Sequence, residues 1–150
     1  MLARFRGQAS PPIEVDTLLA QYPRKRDRFR EAILTELPFF DGCREFLESL
    51  RAHPLAVVSS SGRLEIEPAL ERAGLLVYFE TLVCGGDVQN HKPHPEPYLL
   101  AAARLHARRP LVIEDSAAGE ESARAAGFDV IRVASPAEVA EKVRARLNAC

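Results

Sequence analysis

Three short stretches place chemically capable side chains directly after or beside apolar runs. LAVVSSSG (55–62) ends on hydroxyls, NHKPHP (90–95) sets one lysine among histidines and prolines, and LVIEDS (111–116) ends on two adjacent carboxylates. Hydroxyls and backbone N–H groups at the end of a strand can hydrogen-bond a phosphoryl oxygen, with Ser59 as the contact and Ser60 and Ser61 nearer a substrate. Serines also end strands and cap helices without any ligand, so this stretch alone leaves both readings open. Lys92 lies in a loop stiffened by Pro93 and Pro95, which suits a fixed cation beside a phosphate and equally suits an ordinary surface lysine. His91 and His94 are too near each other and too far from other ligands to argue for zinc.

The carboxylate pair Glu114 and Asp115 is the most informative of the three. Neighbours on an extended strand point to opposite sides, so one of the two must turn inward. Burying a carboxylate with no cation costs several kcal/mol, and magnesium, held by one or two carboxylates together with phosphate oxygens and water, gives the pair a purpose. A helix cap is the other reading, with Asp115 or Ser116 at the positive end of the helix that follows.

These stretches must be positioned by something, and the pattern from Pro38 onward supplies it. Short apolar runs at LAVVSS, Thr81–Val83, LVIED and DVIRV alternate with amphipathic stretches at 43–52, 67–73, PEPYLLAAARLH and GEESARAA, and a last helix covers 136–149. Alternation of this kind predicts an α/β fold, a doubly wound parallel sheet with helices on both faces. Ligands of such sheets bind at the carboxyl ends of the strands, which is where all three stretches fall. Pro68 is expected in the first turn of its helix, and Gly74 and Gly127 just past the ends of theirs. Residues 1–37 read as a separate helical segment, 38–150 as the α/β domain. Within 13–37 the apolar stripe is broken by Pro23 into two helices, and the basic cluster Arg24, Lys25, Arg26, Arg28 and Arg30, interrupted by Asp27 and Glu31, reads as a solvated face.

Composition narrows the function classes. With 20 basic and 21 acidic residues, net charge −1, no overall field draws the chain to nucleic acid or an anionic membrane. No apolar run approaches the roughly 18 residues of a membrane span, and the N-terminus lacks a signal core. The 3 cysteines, Cys43, Cys84 and Cys150, are odd in number and scattered, which reads as reduced thiols and a cytoplasmic setting.

Taken together, LAVVSSSG, YFETLVCGGDVQNHKPHPEPYL and LVIEDSAAGEESARAAGF resemble the haloacid dehalogenase superfamily of phosphatases and phosphomutases, most of all its β-phosphoglucomutase-like subgroup, over about residues 38–134. The resemblance implies a Rossmann-like sheet, a phosphate-binding Ser59, a Lys92 that steadies negative charge at the reaction centre, and a magnesium site at Asp115 with Glu114. It implies a small phosphorylated metabolite, a sugar phosphate for example, as substrate, and makes residues 1–37 the remnant of a helical cap. The family's first motif, a central strand ending in DxDG, has no match before Ser59. FFDG (39–42) lacks the second aspartate and leads straight into CREFLESL, so Asp41 is not expected to be the nucleophile.

From this departure follow the expectations of a truncated chain, inactive by itself, with an opened sheet whose edges could self-associate. Smaller departures are His91, Glu96 and the short LHARRP connection. A non-catalytic domain of the same descent, binding a phosphate or a protein, remains the alternative. A receiver-like signalling domain shares the sheet and the acidic rim but calls for an acidic pair early in the chain.

Overall fold

The structure is a computed structural model and describes residues 39–149. The expected cap segment 1–37 and Cys150 lie outside the described residues. The elements run α1 (Cys43–Ser49), β1 (Ala56–Val58), α2 (Arg63–Arg72), β2 (Thr81–Val83), α3 (Glu96–Arg104), β3 (Leu111–Glu114), α4 (Ala117–Ala125), β4 (Asp129–Arg132) and α5 (Val139–Asn148). Single 3-10 turns at Leu76–Tyr78, Gly85–Asp87 and Pro136–Glu138 join some of them.

Both strand pairings are parallel: β1 on β2 with Val57 opposite Leu82, and β3 on β4 with Ile113 opposite Ile131. Among the described residues nothing pairs β1 to β3, so the α/β layer consists of two half-sheets. Alternation along each strand feeds two faces. Val57 and Ile131 pack with Phe46, Leu47, Leu50, Leu70 and Val143 on one face. Val58 and Val130 pack with Tyr98, Val112 and Ala123 beneath α3 and α4 on the other. This is the helix-on-both-faces arrangement expected from the sequence.

Helix ends follow the glycines. Two residues past the ends of α2 and α4, Gly74 and Gly127 adopt φ of 65° and 78°, and the next residues, Leu75 and Phe128, donate back to Leu70 and Ala123 at 2.8 and 3.0 Å. A residue with a Cβ would be strained there. One boundary differs from expectation. α2 starts at Arg63 rather than near Glu67, because the Glu65 carboxylate reaches back to the Gly62 N–H at 2.9 Å and caps an earlier turn. Pro68 therefore sits inside the helix. The carbonyl it leaves without a donor belongs to Leu64, whose residue is 81% exposed and open to water.

Candidate functional site

Asp41 occupies the exposed turn before α1 and ends no strand. The three polar stretches do occupy the carboxyl ends of their strands. After β1, the Ser59 N–H donates to the Val83 carbonyl at 2.9 Å, and its hydroxyl accepts from the Ser61 N–H at 3.1 Å, closing a tight turn. The loop after β2 is pressed against that turn. Gly85 N–H donates to the Ser61 carbonyl at 2.9 Å, and a Cβ on Gly85 would stand 2.5 Å from the Ser60 carbonyl oxygen, so a side chain there would push the two loops apart. Ion pairing locks the arrangement from below. Arg63 donates to Asp87 at 2.8 Å and to the Leu82 carbonyl at 3.0 Å, and Arg104 donates to the same carbonyl at 2.8 Å. The Cys84 N–H and the Arg63 guanidinium hold the Asp87 carboxyl below the usual carboxylate range, against a smaller opposing effect of burial.

The Lys92 loop is tied at its base. Glu96, in the first turn of α3, accepts from the Gln89 and Asn90 N–H groups at 2.9 and 3.0 Å and from the Asn90 amide at 2.8 Å. The His94 carbonyl accepts from the Ser122 hydroxyl of α4 at 2.6 Å. With the loop so held, the Lys92 side chain runs inward. Its ammonium donates to the Val58 carbonyl at 3.2 Å and to Oε1 of Glu114, and lies 4.8 Å from the centre of the Tyr98 ring.

Glu114 and Asp115 face opposite ways, as neighbours on a strand must. Glu114 is 7% exposed and fully engaged. Oε1 accepts from Lys92 and from the Tyr98 hydroxyl, and Oε2 from the Asp115 N–H, the Ser116 N–H and the Ser116 hydroxyl at 3.0, 3.0 and 2.9 Å. Ser116 in turn caps α4 by accepting from the Gly119 N–H at 3.0 Å. Burial pushes the Glu114 carboxyl upward. The Lys92 and Tyr98 bonds and the Ser116 N–H outweigh it and bring the pKa down to about 2. Tyr98 moves the opposite way, raised by burial and by its anionic acceptor.

Five donors occupy both oxygens of Glu114, so the carboxylate open to a cation is the exposed Asp115. Among the described residues no group of three or more His, Cys, Asp or Glu side chains converges. The rim taken alone therefore does not make a magnesium cage.

A family profile described as haloacid dehalogenase-like hydrolase matches residues 7–133. The chain belongs to this family. It is 37% identical over 109 residues to a phosphorylated carbohydrates phosphatase of Thermotoga maritima, covering 71% of this chain and 50% of that protein. It is 35% identical over 106 residues to the phosphoglycolate phosphatase of Escherichia coli, covering 67% and 42%. CbbY from Rhodobacter sphaeroides, solved with xylulose-(1,5)bisphosphate, superposes with a TM-score of 0.66 at 25% identity, covering 81% of this chain and 56% of that one. The chain spans about half the length of the curated relatives it matches.

Within this haloacid dehalogenase-like frame, the structure brings Lys92 directly onto Glu114 and onto the carbonyl preceding Ser59, with Asp115 adjacent and facing outward. Ser60 and Ser61 lie on the same turn, with their carbonyls held against Gly85. Sequence reasoning missed Tyr98, Gly85 and Gly119. Tyr98 had one local signal: it stands six residues after Lys92, near the start of the next helix, beside small residues that mark a buried face. Among the described residues no helix is long and apolar enough to cross a membrane.

Proposed function

We propose that residues 39–149 form the phosphate-handling rim of a phosphatase or phosphomutase for small phosphorylated metabolites, sugar phosphates among them. One observation carries the reading most. The Lys92 ammonium is drawn out of solvent and held where β1 and β3 both end, between Ser59 and Asp115. A cation there, beside the hydroxyls of the Ser59–Ser61 turn, meets the negative charge of a phosphoryl group with little ordering left to do. The named activities and ligand of the relatives point to the same substrate class. In this reading Ser59 and Lys92 bind the phosphoryl oxygens, Ser60 and Ser61 face the rest of the substrate, and Asp115 holds magnesium together with groups beyond the described rim.

The second reading, a phosphate- or protein-binding domain without chemistry, is favoured by a separate fact. Of the two carboxylates ending β3, Glu114 is saturated with donors and offers no free lone pair for attack on phosphorus, whereas covalent phosphoryl transfer needs an activated nucleophile. Titration of residues 1–150 with inorganic phosphate, followed by amide chemical shifts, tests what the two readings share. Shifts should centre on Ser59–Ser61 and Lys92 and vanish in Lys92→Met. Shifts scattered over surface lysines, or none at all, would sink both. Assay with p-nitrophenyl phosphate and magnesium then bears on chemistry: neither reading requires residues 1–150 to turn over by themselves, and turnover abolished by Asp115→Asn would exclude the second reading and establish the catalytic one for this chain.

A further inference from the structure

The Lys92 loop enters α3 through a histidine. The N–H of half-exposed His94 donates to the His91 carbonyl at 2.9 Å, and its own carbonyl accepts from the Ser122 hydroxyl at 2.6 Å. Its ring Nδ1 accepts from the N–H of Glu96, the first residue of α3, at 3.2 Å. That N–H is among those a helix leaves without a partner at its start, and Pro95 at the cap position has no side-chain acceptor to offer. An imidazole fills the place only while Nδ1 keeps its lone pair, which requires a neutral ring. We propose that His94 is a protonation switch for the Lys92 loop: neutral, it holds the loop for phosphate, and protonated, it frees the base of the loop. The switch rests on the phosphate-handling reading and adds regulation of that same site by pH.

The Glu96 carboxylate carries the effect beyond one amide. Its Oε2 stands 4.0 Å from His94 Nδ1 and accepts from both the N–H and the side-chain amide of Asn90, while Oε1 accepts from the Gln89 N–H. A proton taken from solvent at Nδ1 turns the acceptor into a donor. The ring must then leave the Glu96 N–H, from which the positive end of α3 also repels it. The anion nearest to hand is the oxygen that Asn90 is using, and a full charge competes well against neutral donors. As Oε2 turns to the ring, Asn90 is released two residues before Lys92.

The charges around the ring favour this outcome. Among the described residues Glu96 of α3 is the ion-pair partner of His94. From α4 comes the neutral Ser122 hydroxyl, and from the loop the His91 carbonyl and Lys92, whose ammonium runs inward to Glu114. The Gln89 N–H and the Asn90 donors hold the Glu96 carboxyl below the usual carboxylate range. Glu96 therefore stays ionised between about pH 5 and 8, where an imidazole changes charge, and the loop's response there falls to His94 or His91.

The test follows residues 1–150 by amide hydrogen exchange, corrected for its intrinsic pH dependence, and by titration with sulfate, a dianion whose charge is constant across this range. Lowering the pH from about 8 to 5 should cut protection at Gln89 and Asn90 about fivefold or more, with the midpoint shown by the His94 ring protons. Sulfate affinity should fall over the same interval, although added positive charge by itself would raise it. His94→Asn puts a neutral oxygen where Nδ1 was, and should keep both the protection and the affinity at the acid end. His94→Ala should show low protection throughout, and His91→Gln should keep the parent's midpoint. A loss of protection that persists in His94→Asn, or disappears in His91→Gln, would overturn the proposal. So would sulfate affinity with the same pH slope in the parent and in His94→Asn. Failure of the phosphate titration at Ser59–Lys92 would fall on the phosphate reading, while exchange at Gln89 and Asn90 still decides the switch.

Discussion

The Tyr98 hydroxyl donates to Oε1 of Glu114 at 2.5 Å, joining the start of α3 to the end of β3 through a buried carboxylate. The ring of the same tyrosine carries the Lys92 ammonium above it, so one side chain supports both members of the ion pair. Tyr98→Phe keeps the ring and removes the donor. Losing one charge-assisted bond to a group that stays buried should lower stability by about 1–3 kcal/mol. Tyr98→Ala removes ring and donor together and should cost about 3–5 kcal/mol. Urea melts of the two variants check this; a Phe variant as stable as the parent would mean that water replaces the hydroxyl at no cost.

Acid should expose the same anchor. Glu114 titrates near 2 in the folded chain against 4.5 for an ordinary glutamate, so the folded state binds its proton less readily than the unfolded state does. The contribution is complete above pH 4.5 and is lost as pH falls from there toward 2, with a size on the order of 3 kcal/mol. Glu114→Gln should unfold more easily at neutral pH and show a flatter stability profile between those limits. Parallel profiles of variant and parent across that window would place the acid sensitivity elsewhere.

Removing only the cation should be worse than removing the pair. Lys92→Met leaves a buried carboxylate with its hydroxyl and N–H donors but no counter-charge, a loss of about 3–5 kcal/mol. Adding Glu114→Gln to Lys92→Met should recover part of that loss, since the remaining donors then face a neutral amide. A double-mutant cycle by thermal melt reads the coupling. Additive losses would show that Lys92 and Glu114 do not act as a pair in solution.

What could be read ahead of the structure, and what could not, divides by range. The strands at Thr81–Val83 and LVIED and the glycine ends at Gly74 and Gly127 depend on period and local turn chemistry, both of which act over a few residues. The opposite facing of Glu114 and Asp115 is likewise a property of any extended pair. The task of Glu114 is not, because its donors come from Lys92 and Tyr98, 22 and 16 residues away. The start of α2 differs for another reason: a proline by itself points to the first turn of its helix, while the Glu65 cap on Gly62 and the solvent at Leu64 let the helix begin earlier and run through Pro68.

Gly119 illustrates how tightly the anchor is enclosed. It lies in α4 with an ordinary helical backbone, so its value is space rather than conformational freedom. A Cβ built there runs into the carboxyl carbon and both oxygens of Glu114. Alanine normally favours a helix over glycine by about 1 kcal/mol, yet Gly119→Ala should destabilise, since Glu114 cannot move aside without giving up its donors. A Gly119→Ala variant more stable than the parent would show that the carboxylate has room to shift.

Asp115 makes the last expectation, because it separates holding a metal from holding the fold. Its carboxylate faces solvent beside the anchor and offers one protein ligand, where magnesium keeps its waters unless further carboxylates or phosphate oxygens help to displace them. Binding of magnesium by residues 1–150 should therefore be in the millimolar range or weaker, and should tighten when inorganic phosphate is present beside Lys92 and Ser59. Asp115→Asn should abolish the response while leaving the thermal midpoint nearly unchanged, since no buried partner depends on that side chain. Glu114→Gln should do the reverse, lowering the midpoint through the loss of the anchor. Amide-shift titrations with magnesium chloride, with and without phosphate, give the affinities, and melts of the same samples give the midpoints. Micromolar binding without phosphate would mean that ligands beyond residues 39–149 complete the site, and a large loss of stability in Asp115→Asn would assign this carboxylate to the anchor as well.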